Sequence, residues 1–331
     1  MIARIARTLL LLQLAVIAAL AAAIHSLWLP GHFWASLALG LGAVLLMRAL
    51  LTANTFFLSR PGAAATAGTG RLDLSGRCGL FLREMGASLL CTSLAMPFRR
   101  FDKRLGGSRA CPVLLLHGYG CNSGYWYRMS QALQSAGITH YAIDLEPVLG
   151  SIDLYAAPID AAVRRIQAET GNSRLIIVGH SMGGLAARAY MRDYGDAALA
   201  GMITLGTPHH GTRLANFGMG VNSGEMRWLE AVAAEAGVAA GLEPNGQERN
   251  GSSWLRALDR SETMPDTIAR RGRIVSIYSA HDNIIAPQRS SHLPYARNIA
   301  VQAVGHVALA LDPKVQQLVI QEITQMSAAA H

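Results

Sequence analysis

Cysteine is scarce in this sequence, and its spacing excludes the common metal-binding patterns. The four cysteines are Cys78, Cys91, Cys111 and Cys121, and no two of them form a Cys-x-x-Cys pair or another zinc-like spacing. We therefore predict no metal site and no cofactor. Cys111 and Cys121 flank one predicted strand and its loop, which allows a disulfide in an oxidising compartment. Four reduced thiols are the favoured interpretation.

Charged residues are also few, and acidic residues are absent from the first 51 positions. Charged side chains make up 15% of the chain and the net charge is +8. The mean hydropathy is +0.25, a high value for a wholly soluble protein. The sequence has no basic helix stripe and no basic patch interleaved with aromatic residues, so nucleic-acid binding is disfavoured. A basic excess beside an apolar segment favours the anionic headgroups of membrane lipids as partners.

Residues 1–58 are strongly apolar and predict a transmembrane helical hairpin. Thr8–Leu29 is an almost unbroken apolar run, and Phe33–Leu58 is a second one that Arg48 interrupts. At about 1.5 Å per residue, each run is long enough for a hydrocarbon core of about 30 Å. Pro30–His32 forms the turn. Arg48 is expected near one end of its helix, with its guanidinium at the membrane surface.

A cleaved signal peptide is the competing interpretation, because Arg4 and Arg7 precede an apolar core that includes Ala21–Ala23. The second apolar run, so close behind the first, argues against simple secretion. Arginines precede the first run and many follow the second, whereas the turn between the runs has none. The positive-inside rule then predicts a multi-pass protein of a bacterial inner (cytoplasmic) membrane, with the rest of the chain in the cytoplasm.

Residues 59–108 are predicted to connect the hairpin to the main domain. Pro61–Gly70 is rich in Gly, Ala and Thr and is typical of a linker. Gly79–Phe98 is apolar apart from Arg83 and Glu84, and its apolar residues have helical spacing. This helix either lies on the membrane surface or packs on the main domain, and packing is the favoured interpretation.

Residues 109–331 alternate short apolar runs with helical segments. This pattern predicts an α/β domain with a mostly parallel sheet and helices on both faces. The interval 212–271 breaks the alternation, since it has scattered apolar side chains among Gly, Ala and Asn residues and no clear strand. We predict that it forms a cap over the site at the sheet edge. A helical excursion that only completes the core is the alternative.

The strongest local pattern is a strand, a tight turn and a helix around Ser181. The apolar run Leu175–Val178 leads into Gly179-His180-Ser181-Met182-Gly183, and a helical segment follows at once. The spacing Gly-x-Ser-x-Gly in this context predicts a nucleophilic serine on a strained turn, with glycines where side chains would collide with neighbouring backbone. The alternative is a glycine-rich turn with an incidental serine.

A second turn follows the predicted strand 112–117. It reads His117-Gly118-Tyr119-Gly120, and its glycines would let the loop backbone approach a substrate carbonyl. We predict that the amide N–H groups of Tyr119 and Met182 form an oxyanion hole. A plain tight turn is the alternative.

The remaining catalytic residues are predicted by elimination among the eleven histidines. A serine nucleophile needs a base, which an acid orients, and in this kind of sheet the acid and then the histidine follow the serine along the chain. Asp282 follows the predicted strand 273–279, and His306 follows the next strand, 298–304. We assign Asp282 to orient the imidazole of His306. The weaker candidates are His292, Asp144 and Asp266.

Together these motifs resemble the α/β-hydrolase superfamily, and within it bacterial lipases and carboxylesterases. The residues that carry the resemblance are His117–Gly120, Gly179–Gly184, Thr207–Gly211, Asp282–Pro287 and Gly305–His306, within roughly 112–326. The resemblance implies an α/β-hydrolase fold with a cap insertion, and the motif Thr207-Pro208-His209-His210-Gly211 favours lipases of long acyl chains. The hairpin departs from secreted lipases, and no pair of acids suits the calcium site that some of them have.

The resemblance implies a membrane-anchored serine hydrolase that cleaves carboxylic, especially lipid, esters through an acyl-serine intermediate. A thioesterase or an acyltransferase would use the same three residues. A non-catalytic membrane scaffold with this fold is the interpretation from a different class, and the presence of Ser181, Asp282 and His306 argues against it. The oligomeric state is left open.

Overall fold

The computed structural model describes residues 1–60, 72–228, 252–262 and 273–330. Within them one sheet contains β1 (Lys103–Arg104), β2 (Val113–Leu116), β3 (His140–Ile143), β4 (Leu175–His180), β5 (Leu199–Leu205), β6 (Ile274–Ser279) and β7 (Arg297–Val301). The α-helices are α1 (Ile2–Leu27), α2 (Phe33–Ser59), α3 (Leu74–Leu90), α4 (Met96–Phe98), α5 (Tyr127–Ser135), α6 (Ala156–Thr170), α7 (Met182–Tyr194), α8 (Val221–Glu225), α9 (Ser253–Glu262) and α10 (Pro313–Ala330).

The sheet is parallel throughout except at one edge. The order across it is β1-β3-β2-β4-β5-β6-β7, and only β1 runs antiparallel to its neighbour. In the register, Leu116 lies opposite Gly179 and His180 opposite Leu205, so the carboxyl ends of β2, β4 and β5 meet at one edge. The predicted mostly parallel α/β architecture is confirmed.

Helices cover both faces because successive side chains of a strand point to opposite sides of the sheet. Leu115 and Val178 pack in one buried cluster with side chains of α3, α5 and α10. Leu116 and Ile177 pack in a second cluster with side chains of α6, α7 and α9. Strands buried on both faces need apolar residues at every position, which explains their continuous Leu, Ile and Val runs.

The N-terminal helices α1 and α2 pack against each other as a hairpin. Their contact is close at Gly40, where a Cβ would lie 2.8 Å from the carbonyl oxygen of Ile17. Both helices are long and apolar enough to cross a membrane. The crossing itself remains a prediction.

Arg48 contacts polar side chains that the sequence analysis did not anticipate. Its guanidinium donates hydrogen bonds to Gln13 Oε1 at 3.1 Å, to Ser93 Oγ at 3.2 Å and to Thr92 Oγ1. Thr92 and Ser93 belong to the π-helical turn Cys91–Ala95 between α3 and α4. Since a cation between apolar helices needs polar partners, Arg48 binds side chains of α1 and of this turn.

The sequence predictions about the start of the main domain, the linker and the cap have different outcomes. The strand β1 lies before residue 109, so the sheet begins earlier in the chain than the predicted main domain. The predicted linker 61–70 lies outside the described residues. Of the predicted cap, 212–271, only residues 212–228 and 252–262 are described, and they include the helices α8 and α9.

A buried arginine joins the helix that follows β4 to α9. Arg188 on α7 is 1% exposed and donates to both carboxylate oxygens of Glu262, at 3.1 and 2.6 Å. It also donates to Asp259 Oδ1 at 2.6 Å and to the carbonyl oxygen of His209 at 3.1 Å. The guanidinium thus ties α7 to α9 and to the turn after β5.

Replacing Arg188 by methionine removes the cation and leaves the carboxylates of Asp259 and Glu262 against an apolar side chain. We expect the free energy of unfolding to fall by about 3–5 kcal/mol, the usual cost of removing one partner of a buried ion pair. The control is Arg192→Met on the same helix, since Arg192 is 23% exposed and its partners are at the surface. Its expected cost is below about 1 kcal/mol. Equal shifts of the thermal unfolding midpoint of the two variants in detergent would contradict this prediction.

Candidate active site

Ser181 lies at the sharp turn between β4 and α7. Its backbone has φ 54° and ψ −125°, a strained conformation for a residue with a side chain. Its amide N–H donates to the carbonyl oxygen of Leu205 on β5 at 2.9 Å. The glycines around it are sterically required: a Cβ on Gly183 would lie 2.2 Å from Leu116 O, and one on Gly179 would lie 2.7 Å from the amide nitrogen of Gly184.

Asp282 and His306 form a buried hydrogen-bonded pair. His306 Nδ1 donates to Asp282 Oδ2 at 2.8 Å, and the two residues are 2% and 5% exposed respectively. The other carboxylate oxygen, Oδ1, accepts the amide N–H groups of Ile284 and Ile285, each at 2.8 Å. Asp282 is therefore fixed by its own turn, and it holds the imidazole with Nδ1 protonated.

The serine turn and the Asp282–His306 pair lie on either side of the end of β5. A Cβ built on Gly206 would lie 3.2 Å from Asp282 Oδ2 and 3.3 Å from His306 Nδ1, and the preceding residue accepts the amide of Ser181. His180 links the two sides directly, because its Nε2–H donates to the carbonyl oxygen of His306 at 3.1 Å. The structure thus brings the three predicted residues to one edge of the sheet, at the carboxyl ends of β4, β6 and β7.

The loop His117–Gly120 lies against the serine. A Cβ on Gly118 would be 2.9 Å from Ser181 Cβ, and Gly120 has φ +65°. His117 stabilises the loop through two hydrogen bonds. Its Nε2 accepts the amide N–H of Leu145 at 2.9 Å, and its Nδ1–H donates to the carbonyl oxygen of Gly118 at 2.9 Å.

The two amides predicted to form the oxyanion hole are free of other partners in the described part of the chain. Neither the N–H of Tyr119 nor that of Met182 donates to a backbone carbonyl there. The Tyr119 hydroxyl has different partners. It donates to Met219 O at 2.8 Å and accepts the amide of Met219 at 3.1 Å. The tyrosine side chain therefore joins the loop to the segment after β5.

The three buried histidines of the site differ in their proton affinity. Burial lowers the pKa of His306, but the charge and hydrogen bond of Asp282 outweigh it, together with the charge of Glu84, so the pKa lies above its ordinary value. Burial and the charge of His306 hold the pKa of His180 well below its ordinary value. Burial also lowers the pKa of His117. His306 is thus the one member of this trio whose surroundings favour the charged form.

The weaker candidates lie in other surroundings. Asp144 accepts the amide of Ser123 at 2.7 Å and pairs with Arg100. The carbonyl oxygen of His292 accepts a hydrogen bond from His210, and Asp266 lies outside the described residues. Among the described residues no cluster of His, Cys, Asp and Glu side chains has the geometry of a metal site.

Two polar residues that the sequence analysis did not assign also contact the His306 segment. Asn283 Oδ1 accepts the amide of His306 at 3.0 Å, while its Nδ2 donates to Thr55 Oγ1 on α2 at 2.8 Å. Glu84 on α3 accepts the amides of the two residues after His306. The only signal in the sequence for Glu84 was an acid in a largely apolar segment. For Asn283 it was the position next to Asp282.

This architecture is similar to that of known proteins. A family model described as alpha/beta hydrolase fold matches residues 112–227. The mature form of the Bacillus licheniformis lipase BlEst2 superposes with a TM-score of 0.50 at 18% identity, covering 67% of this chain and 94% of that one. The described part of the chain therefore has the α/β-hydrolase fold. The propeptide form of the same lipase gives a TM-score of 0.53 at 17% identity, covering 66% of this chain and 53% of that one.

Two curated relatives of this chain are named as triacylglycerol lipases. A triacylglycerol lipase of Pseudarthrobacter phenanthrenivorans is 28% identical over 164 residues, which cover 46% of this chain and 51% of the relative. A triacylglycerol lipase of Burkholderia plantarii is 28% identical over the same length, covering 46% of each chain. The chain thus spans about half the length of these two relatives.

Replacing Gly206 by alanine tests the packing between the serine turn and the Asp282–His306 pair. Gly206 has φ +54°, and a Cβ there would lie 2.6 Å from Leu309 Cδ1 as well as close to the pair. We expect the rate at which Ser181 reacts with a fluorophosphonate probe to fall by about 10-fold or more, because small displacements of reacting groups are costly.

The matched control is Gly171→Ala. Gly171 has φ +70°, but a Cβ there would have no neighbouring atom within 4 Å, so the variant carries the same backbone strain of about 1–2 kcal/mol without the crowding. Its labelling rate should equal that of the wild type. If both variants label alike, the crowding at Gly206 has no bearing on the serine.

Proposed function

We propose that this α/β-hydrolase is a membrane-anchored serine ester hydrolase, with Ser181 as nucleophile, His306 as base and Asp282 as the residue that orients the base. The observation that carries the proposal is the strained serine turn beside a buried Asp–His hydrogen bond of 2.8 Å. The pair fixes the tautomer in which Nε2 is free to accept a proton. The names of the lipase relatives agree with an ester substrate.

The reaction follows from the chemistry of these groups. The Ser181 hydroxyl attacks the carbonyl carbon of the ester while His306 Nε2 takes its proton, and a tetrahedral oxyanion forms. The imidazolium then gives the proton to the departing alcohol, which leaves an acyl-serine. Water attacks the acyl group with His306 again as the base, and the acid is released. Asp282 stays ionised and stabilises the imidazolium in both halves of the reaction.

The oxyanion would be held by the amide N–H groups of Tyr119 and Met182. Both amides lack a backbone acceptor in the described residues, and Met182 is the first residue of α7. Preformed donors of this kind are worth about 3–4 kcal/mol each to the transition state. His117, Gly118 and Gly120 support the loop that carries the first donor.

A lipid ester is the substrate class that the surroundings favour. Phe217 and Met219 are 74% and 71% exposed, and Met219 is bonded to Tyr119 of the oxyanion loop. The turn that ends at Phe217 lies against α2, one of the two helices suited to a membrane. An apolar surface beside the site and next to the anchor suits an acyl chain that comes from the bilayer. We propose a bacterial inner membrane with the site on the cytoplasmic side as its location.

Replacing Ser181 by alanine should abolish the turnover of a p-nitrophenyl ester and of an acylglycerol by the detergent-solubilised protein. Both activities depend on the same hydroxyl, so we expect losses of at least about 1000-fold. Thermal unfolding should be unchanged within about 0.5 kcal/mol, as for a substitution that creates no large cavity. Retained turnover would refute the assignment. Turnover of acyl-CoA in preference to acylglycerol would instead identify a thioesterase or an acyltransferase.

The pH dependence should report the raised pKa of His306. A protonated imidazole is unable to take the serine proton, so kcat/KM falls as the pH falls through the pKa of the free enzyme. Because this pKa lies above the ordinary value of a histidine, we expect the acid limb to have its midpoint above pH 6.5 and the rate to rise towards mildly alkaline pH. A midpoint clearly below that value, measured with a soluble ester, would contradict the role of the Asp282 charge.

A further inference from the structure

A buried carboxylate from α3 lies against the turn that carries His306. Glu84 is 2% exposed. Its Oε1 accepts the amide N–H of Val307 at 2.9 Å and its Oε2 accepts that of Ala308 at 3.0 Å. A Cβ on Gly305 would lie 2.3 Å from Oε2, so a side chain there would displace the carboxylate. The residues on both sides of His306 thus enclose the Glu84 side chain.

Burying a carboxylate at this position is energetically unfavourable unless hydrogen bonds compensate for the loss of water. Burial raises the pKa of Glu84, which means that its charged form is disfavoured, while the two amide hydrogen bonds act in the opposite direction. An apolar side chain would avoid the cost of burying a charge, but it would leave the two buried N–H groups without an acceptor, which is itself destabilising. Both carboxylate oxygens of Glu84 therefore accept backbone hydrogen bonds from the turn after His306.

The rest of the His306 segment is held from other directions. Asn283 accepts the amide of His306 and His180 donates to its carbonyl oxygen. Arg83, the neighbour of Glu84, donates to the carbonyl oxygen of Ala303 at 2.9 Å, a residue with φ 57°. Without Glu84 the backbone after His306 would lose its two side-chain acceptors, whereas the backbone before it would stay fixed.

Most titratable groups around Glu84 are neutral near pH 7. Burial raises the pKa of the Cys91 and Cys121 thiols, the latter to about 12, and that of the Tyr125 phenol. Burial holds His180 neutral by lowering its pKa. The charges that act on the imidazole of His306 at this place are those of the Asp282 and Glu84 carboxylates, and both raise its pKa.

We propose that Glu84 is a positioning residue for the base: its carboxylate fixes the turn after His306 through two backbone hydrogen bonds, and so aligns the imidazole with Ser181. The proposal rests on the function proposed above for His306. It assigns to α3, a helix outside the matched family region of residues 112–227, a direct part in the geometry of the site.

The test is Glu84→Gln in the full-length, detergent-solubilised protein, with kcat counted per site titrated by a fluorophosphonate. The glutamine offers one acceptor oxygen, and its NH2 group would face the second amide. We expect kcat on a soluble p-nitrophenyl ester to fall about 10- to 100-fold at unchanged KM, since a misplaced base slows only the chemical step. The acid limb of the pH profile should move to lower pH, because one negative charge beside His306 is gone.

Two further variants separate positioning from general stability. Glu84→Asp keeps the charge on a shorter side chain, so kcat should fall while the acid limb stays near that of the wild type; this variant also decides the matter if the glutamine variant fails to fold. Glu322→Gln is the matched control, because Glu322 on α10 is 5% exposed and pairs with Arg297 far from the turn. It should lower the unfolding midpoint and leave kcat and the pH profile unchanged.

The outcomes distinguish this inference from the proposed function. Unchanged kcat and an unchanged acid limb in both Glu84 variants, with normal wild-type turnover that Ser181→Ala abolishes, would overturn the positioning role alone. An equal loss of kcat in Glu322→Gln would overturn it too, since the effect would then be one of stability. If the wild-type protein neither turns over esters nor reacts with the probe, the proposed function fails and the inference falls with it.

Discussion

The hydrogen bond between His306 and Asp282 is the contact around which the candidate site is built, and the proposed reaction depends on it. An imidazole is an effective base only when its proton is on the ring nitrogen that faces away from the serine, and the 2.8 Å contact enforces that state. A single hydrogen bond fixes one nitrogen, however, and leaves the ring plane and the backbone of His306 undetermined. Other hydrogen bonds fix the backbone around His306. They come from Asn283, His180 and Glu84.

The parallel sheet explains why side chains so distant in sequence meet. Strands β4, β5, β6 and β7 end at the same edge, so the residues that follow them share one small region. The residues at this edge are closely packed. A Cβ on Gly118, Gly183 or Gly206 would overlap with neighbouring atoms, so only glycine fits at these three positions. The strained backbone of Ser181 has the same cause, namely close packing. The turn exposes the serine hydroxyl at the sheet edge while the amide N–H of the same residue stays hydrogen-bonded to β5.

The sequence was sufficient for those parts of the molecule that depend on local spacing or on the parallel order of strands. The serine turn needs five consecutive residues, and Asp282 and His306 follow from the rule that functional groups lie at carboxyl ends of strands. Contacts that join distant segments had no such signature. The contacts of Arg48 were not predicted, because its partners Thr92 and Ser93 gave no local sign of their position. The two-residue strand β1 is too short for any periodicity.

The N-terminal segment contributes contacts to the candidate site as well as two helices long and apolar enough to cross a membrane. Thr55 on α2 accepts a hydrogen bond from Asn283, whose other amide atom accepts the backbone N–H of His306, and Glu84 on α3 binds the next two amides. A chain beginning at residue 109, where the sequence places the start of the main domain, would lose both. The amides of Val307 and Ala308 would then need water in a place that is otherwise packed with apolar side chains. The position of His306 therefore depends on contacts from α2 and α3 as well as on the sheet.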